Sequence, residues 1–206
     1  MKKFILVLAA LTFSIAAFSQ GFEIGIKGGM NITAADVMKE ASKDVKITNK
    51  NTYNGGVYGR LKIKLIGIFV QPELVYNTRG YNFNITANGI TYNIKQQAYY
   101  LDVPVLVGLK MFKFLRVYAG PNFQYLLKNE ITGIDNIVTF QKNDMKKANT
   151  GVQIGFGLDL SKFRVDLKYD FNPTDMGSPF SYQGKAQLIK TSMVTIQLGY
   201  KLFGIL

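Results

Sequence analysis

Alternation is the strongest signal in the chain. Between residues 163 and 171, Phe163, Val165, Leu167, Tyr169 and Phe171 occupy one parity, and Arg164, Asp166, Lys168 and Asp170 the other. A strand turns successive side chains to opposite faces, so this period of two predicts a strand that separates an apolar medium from a polar one. The pattern recurs earlier, where Phe22, Ile24 and Ile26 oppose Glu23, Gly25 and Lys27, and where Val57 and Leu61 oppose Tyr58 and Arg60. It returns in Ile68–Asn77, Leu101–Lys110, Phe114–Gln124, Gly151–Leu160 and Val194–Leu202. This predicts about eight strands, each near the roughly 9–11 residues that cross a bilayer at a tilt.

The connections sort by length. Short turns are expected at Lys64–Gly67, Met111–Lys113 and Ser161–Lys162. Long polar loops are expected at Asn31–Thr52, Thr78–Gln97, Leu127–Asn149 and Pro173–Thr191. Short turns on one side and long loops on the other are the layout of an outer-membrane barrel, with the short turns and both mature termini in the periplasm. The predicted fold class is therefore all-β, an eight-stranded antiparallel up-and-down transmembrane barrel.

Two turns fix expected registers. A two-residue turn at Ser161-Lys162 pairs Leu160 with Phe163, Asp159 with Arg164, Gly155 with Lys168 and Gln153 with Asp170. A three-residue turn at Met111–Lys113 sets Gly108 opposite Arg116, Asp102 opposite Asn122 and Pro104 opposite Gly120. Pro104 is awkward, because a closed barrel has no edge strand to accommodate it. A bulge or a missing ladder bond is expected there, shared with Pro121.

Alternation alone does not say which face is outside. The apolar parity is bulky on nearly every strand, whereas the polar parity carries many of the glycines, as a narrow interior filled with Arg and Lys requires. Tyr53, Tyr76, Tyr99, Tyr125, Phe171, Tyr200 and Phe203 gather near strand ends, where interfacial girdles lie. The apolar face is therefore assigned to lipid. The alternative is a secreted or periplasmic lipocalin-like carrier with an apolar cavity, although the Gly-x-Trp signature expected of a lipocalin is missing. Inside the barrel, Arg60, Glu73, Asp102, Arg116, Asp159, Arg164, Asp166, Lys168 and Asp170 are expected to form a lumenal polar network.

Residues 1–19 read as a cleaved export signal: Lys2 and Lys3, an apolar run from Phe4 to Ala16, and the small-x-small Ala17-Phe18-Ser19. Residues 20–206 are then the barrel domain. The formal charge of the whole chain is +12, and removal of two leader lysines leaves +10. Export and the scatter of Lys and Arg through strand-like runs argue against nucleic acid.

The chain has no Cys, His or Trp. That excludes disulfides, thiolate metal sites, thiol nucleophiles, a lipoprotein cysteine and the imidazole base of the known rim enzymes among such barrels. Carboxylate pairs remain, Asp166 with Asp170 or Glu73 with Asp102, but each reads more simply as part of the ionic interior. Asp36, Glu40 and Asp44 do not match an EF-hand spacing. "GIKGG" (Gly25–Gly29) lacks the spacing of a phosphate loop. No catalytic, cofactor or metal site is assigned, and at about eight strands no general aqueous channel is expected.

The blocks "GFEIGIKGGMNIT" (Gly21–Thr33), "YYLDVPVLVGLK" (Tyr99–Lys110), "VYAGPNFQYLL" (Val117–Leu127) and "GVQIGFGLDL" (Gly151–Leu160) resemble, in order and spacing, the PorT-like outer-membrane β-barrel family. The resemblance covers essentially the whole mature chain. It implies a barrel protein of the outer membrane, in a family whose members mostly lack an assigned activity and whose namesake serves a secretion machinery. The expected function is non-catalytic: envelope structure, surface binding or a secretion-associated role. The expected partners are the outer-membrane bilayer and lipopolysaccharide or an envelope protein, with no nucleic acid, and the chain is expected to be a monomer.

Overall fold

The computed structural model describes residues 21–37, 45–49, 51–63, 67–87, 90–112, 114–132, 146–172, 181–182, 185–186 and 189–205. The expected export signal, residues 1–19, lies outside them. Eight long strands carry the fold: β1 (Gly21–Val37), β2 (Asn51–Ile63), β3 (Ile68–Ala87), β4 (Ile90–Met111), β5 (Leu115–Thr132), β6 (Ala148–Leu160), β7 (Phe163–Phe171) and β8 (Ile189–Ile205). Each pairs antiparallel with the next, and β8 pairs with β1, so the sheet closes on itself. Closure gives ladder partners to both edges of every stave and removes the open edge that a flat sheet would present. Three shorter strands lie outside the ring. Val45–Asn49 pairs with the far part of β3, and Ser181–Tyr182 pairs with Lys185–Ala186.

The two parities separate as alternation predicts. Ile26, Val57, Leu74, Val107, Ile154, Phe156, Ile196 and Leu198 stand on the outer surface, each 46–66% exposed. Glu23, Arg60, Gln71, Glu73, Arg116 and Asp170 are buried inside, all 3% exposed or less. A water-soluble carrier would show the reverse, so nothing supports the lipocalin-like alternative. Rings mark both ends of the apolar band. Tyr53, Tyr76 and Tyr125 lie toward the long-loop end, with Tyr76 and Tyr99 centroids 6.1 Å apart. Phe163 and Tyr200 meet edge-on at 5.4 Å toward the short-turn end.

The β6–β7 register follows the two-residue turn: Leu160↔Phe163, Asp159↔Arg164, Gly155↔Lys168 and Gln153↔Asp170. The β4–β5 register departs from expectation by two residues. Met111 pairs with Leu115, so Phe112–Phe114 form the turn, with Phe112 in the left-handed region at φ 49°. Asp102 therefore faces Gln124, Pro104 faces Asn122, and Gly108 faces Tyr118. A shift of two keeps every side chain on its face, which is why parity could not detect it. The room at Gly108 serves rings, not an arginine: a Cβ there would lie 2.5 Å from Phe69 Cζ and 2.7 Å from Tyr118 Cβ. Space for Arg116 comes instead from Gly157, where a Cβ would lie 2.6 Å from Arg116 Nη2.

Pro104 sits beside a lapse of the ladder without a bulge. Between Pro104↔Asn122 and Val107↔Ala119 the register number is unchanged, but Val105/Pro121 and Leu106/Gly120 are not paired. The register shift in this strand pair falls elsewhere, at Tyr99/Tyr100. Equivalent lapses lie between β3 and β4, from Pro72↔Val105 to Val75↔Asp102, and between β2 and β3, from Tyr58↔Glu73 to Leu61↔Val70. Each contains one proline, which has no N–H to give to a ladder.

The expected long loops are shorter than their sequence intervals, because the strands run into them. Thr78–Gln97 is largely a hairpin: pairing runs from Thr78↔Tyr99 to Ala87↔Ile90. β1 continues to Val37, β5 to Thr132, and β8 begins at Ile189. The staves thus range from 9 residues in β7 to 22 in β4, not the uniform span that the bilayer alone requires.

Candidate functional site: the charged lumen

Inward parity on a narrow ring brings every polar side chain of the staves within reach of those across the barrel. Near the short turns, Glu23 of β1 accepts hydrogen bonds from Tyr58 Oη (2.9 Å), Lys62 Nζ (2.7 Å) and Arg164 Nε and Nη2 (3.1 and 2.9 Å). Asp159 faces Arg116 Nε at 2.6 Å, Arg164 Nε and Lys110 Nζ at 3.0 Å, and Arg60 Nη1 at 3.4 Å. Asp166 pairs with Arg116 Nη2 at 3.1 Å and accepts from Tyr118 Oη at 2.8 Å.

A second layer centres on Glu73. Its carboxylate is gripped by Lys27 Nζ and by Lys168 Nζ at 2.7 Å, and it accepts from Gln71 Nε2 at 2.6 Å. Towards the long loops, Asp102 pairs with Arg79 Nη2 (3.0 Å) and accepts from Asn77 Nδ2 (2.8 Å). Asp170 accepts from Asn122 Nδ2 (3.0 Å) and Gln153 Nε2 (2.9 Å). Phe69, Leu106 and Tyr118 form an apolar knot inside the barrel, and the Arg60 guanidinium lies 5.2 Å from the Phe69 ring centroid.

Burying ions costs several kcal/mol each unless partners and hydrogen bonds offset the lost hydration. Here each carboxylate has several donors, and the layers share partners, so the interior is a connected lattice. The void lined by Asn54, Glu73, Asn77, Asp102, Gln153, Lys168, Asp170 and Gln197 has a volume of about 10 Å³, about the least that holds one water. The suggested carboxylate pairs are therefore not open to a substrate: Asp166, Glu73 and Asp102 are each held by cations, and Asp170 by amides. Among the described residues no group of three or more His, Cys, Asp or Glu could hold a metal ion. Asp36 pairs across the ladder with Lys190; Glu40 and Asp44 lie outside the described residues.

The lattice extends beyond the nine residues expected from the sequence: among its charged and phenolic members, Glu23, Lys27, Tyr58, Lys62, Arg79, Lys110 and Tyr118 are additions. All of these but Arg79 share the inward parity of strands that the sequence predicts, which is the available signal. Arg79 fell in a presumed loop, although "YNFNITANGITYNI" (Tyr81–Ile94) alternates around Asn88-Gly89, a strong hairpin signature. Beyond the aromatic girdle, the Lys128 ammonium 2.5 Å from Glu130, together with the Tyr99 hydroxyl, holds the Glu130 carboxyl below its ordinary range.

A closed antiparallel ring, apolar outside, ionic inside and rimmed by aromatics, defines a transmembrane β-barrel of the outer-membrane type. The chain belongs to the family of the outer membrane protein beta-barrel domain, whose model matches residues 18–176. No curated protein matches it in sequence. Among solved structures it is similar to OprG of Pseudomonas aeruginosa, at 13% identity and TM-score 0.49, over 89% of this chain and 97% of that one. It is also similar to the attachment invasion locus protein Ail of Yersinia pestis, solved with the heparin analogue sucrose octasulfate, at 12% identity and TM-score 0.47, over 88% and 99%. Neisserial surface protein A shows 9% identity and TM-score 0.47 over 87% and 97%.

Proposed function

We propose that the protein is a non-catalytic, monomeric envelope protein of PorT-like type, in which the barrel anchors and seals and the working surface lies at the long-loop end. The observation that supports this most is the filled middle of the lumen, where the layer around Glu73 and Asp102 leaves a void of about 10 Å³ and so no continuous route for a solute. Binding then has to occur on what projects. The β3–β4 hairpin, Val45–Asn49 and the end of β5 form a continuous ladder past the Tyr76–Tyr99 girdle. In this reading residues 1–19 are removed on export, the short turns and both mature termini face the periplasm, and the projecting ladder meets lipopolysaccharide or an envelope protein, in a surface-binding or secretion-associated role.

Photo-crosslinking in intact cells tests the proposal. A crosslinker at Lys128 should capture an envelope partner and one at Lys162 should not. Capture from Lys162 alone would refute the assignment of the working face. In planar bilayers the purified barrel should give no stepwise conductance, and reproducible unitary steps would remove the sealed-lumen argument.

A further inference from the structure

The outer wall carries an apolar furrow of about 830 Å³. One bank is the row Ile68, Leu109, Val117, Phe156 and Leu167, each the ladder partner of the next from β3 to β7. The other bank is Val107, Ala119, Ile154, Tyr169 and Val194, linked in the same way from β4 to β8. Both rows have the outward parity. The floor between them is the backbone at Gly108, Tyr118, Gly155 and Lys168, residues of inward parity that also pair in sequence across the staves. Ala119 has the smallest side chain on either bank and leaves that bank low.

The furrow climbs the wall. It starts at Ile68, the first residue of β3, and passes Tyr169, two residues before the far end of β7. Crossing from β3 to β8 at about 4.8 Å per stave gives a length of about 24 Å. With staves tilted by roughly 35–45°, that length rises about 14–17 Å along the barrel axis. One leaflet contributes about half of a hydrocarbon core roughly 30 Å thick, so the rise matches the depth of a single leaflet. The lower mouth opens at the short turns. These three connections carry Lys64, Lys113 and Lys162 and no acidic residue, and Lys162 stands exposed.

We infer that the furrow seats one acyl chain of an anionic phospholipid, whose headgroup lies against the lysines of the short turns. Within hydrocarbon an apolar chain is held by close packing and not by exclusion from water, and a channel between two ridges offers more contact than a smooth wall. The charge at the mouth selects the headgroup, because each lysine near a membrane surface favours anionic lipid. The furrow also bends around six of the eight staves. A rigid second barrel touches a convex wall along a few staves only, whereas a flexible chain follows the whole channel.

The test uses the whole mature chain, stripped of lipid in detergent and titrated with phosphatidylglycerol or phosphatidylcholine of identical acyl chains, with native mass spectrometry as the readout. One phosphatidylglycerol should be retained per barrel, in preference to phosphatidylcholine. K64Q/K113Q should weaken phosphatidylglycerol about 25-fold, at about fivefold per lysine, and leave phosphatidylcholine unchanged. A119F, which raises the low bank with an outward apolar ring, should weaken both lipids. V57F, on β2 outside the furrow, should weaken neither. Heat-modifiable migration in gels verifies that each variant is folded. Equal retention of the two lipids, equal losses in A119F and V57F, or paired barrels in place of a barrel with one lipid would overturn the inference.

Discussion

Replacing Glu73 by Ala destabilises the barrel by about 3–5 kcal/mol, the usual cost of removing one partner from a buried ion pair. Among the described residues Glu73 is the one carboxylate in ion pairs with Lys27 and Lys168, and all three are almost wholly enclosed. Its loss leaves two ammonium groups facing each other inside the wall with Gln71 as a neutral neighbour. The expected result is a lower urea midpoint for the heat-modifiable folded form, with a large unfolded fraction before urea is added. Adding Lys27→Met to Glu73→Ala should recover part of the loss, because one of the unpaired charges is then gone. A Glu73→Ala barrel within about 1 kcal/mol of wild type would mean that water reaches this layer freely and that the lumen is not sealed.

The second large effect lies on the other face. Ile154 is 51% exposed, near the middle of β6, between Ala119 and Tyr169 on the neighbouring staves. Ile154→Arg puts a cation at mid-depth on the lipid side and should cost about 2–4 kcal/mol in bilayer-based unfolding. The same change at Tyr53, in the girdle, should cost only about 0–1 kcal/mol. Equal penalties at the two positions, or none at Ile154, would contradict the placement of the apolar band in hydrocarbon.

The fold was legible because a barrel wall repeats one physical rule at every residue. Parity alone assigned Arg164, Asp166 and Lys168 to one face and Val165, Leu167 and Tyr169 to the other. The tight turn at Ser161-Lys162 added register, since two residues leave the chain little choice. At Phe112–Phe114 the turn chemistry is unusual for a hairpin, with no Gly or Asn at the positive φ of Phe112. The register there depended on packing that parity does not encode. The hairpin beyond Thr78 was overlooked for the opposite reason: its polar composition suggested a loop while its alternation and Asn88-Gly89 already described paired strands.

The ionic lattice was legible in composition and not in wiring. Which carboxylate meets which cation depends on the stagger of staves far apart in sequence, as when Glu23 meets Arg164 and Glu73 meets Lys168. Alternation places each of these side chains inside but gives no stagger across the closure between β1 and β8.

The three proline lapses bear on how this wall survives in oil. They form an oblique line across β2, β3, β4 and β5, passing Pro72, Pro104 and Pro121 in turn. In hydrocarbon an unpaired amide hydrogen costs several kcal/mol, so a broken ladder there would ordinarily be excluded. Along this line each gap includes a residue with no amide hydrogen, which lowers the cost of leaving the ladder open. Gly120 lets the Val105 carbonyl oxygen approach so closely that a Cβ would sit 2.0 Å from it. The line thus provides a pre-scored crease, where a small closed cylinder can concentrate its curvature while the paired stretches above and below hold their register.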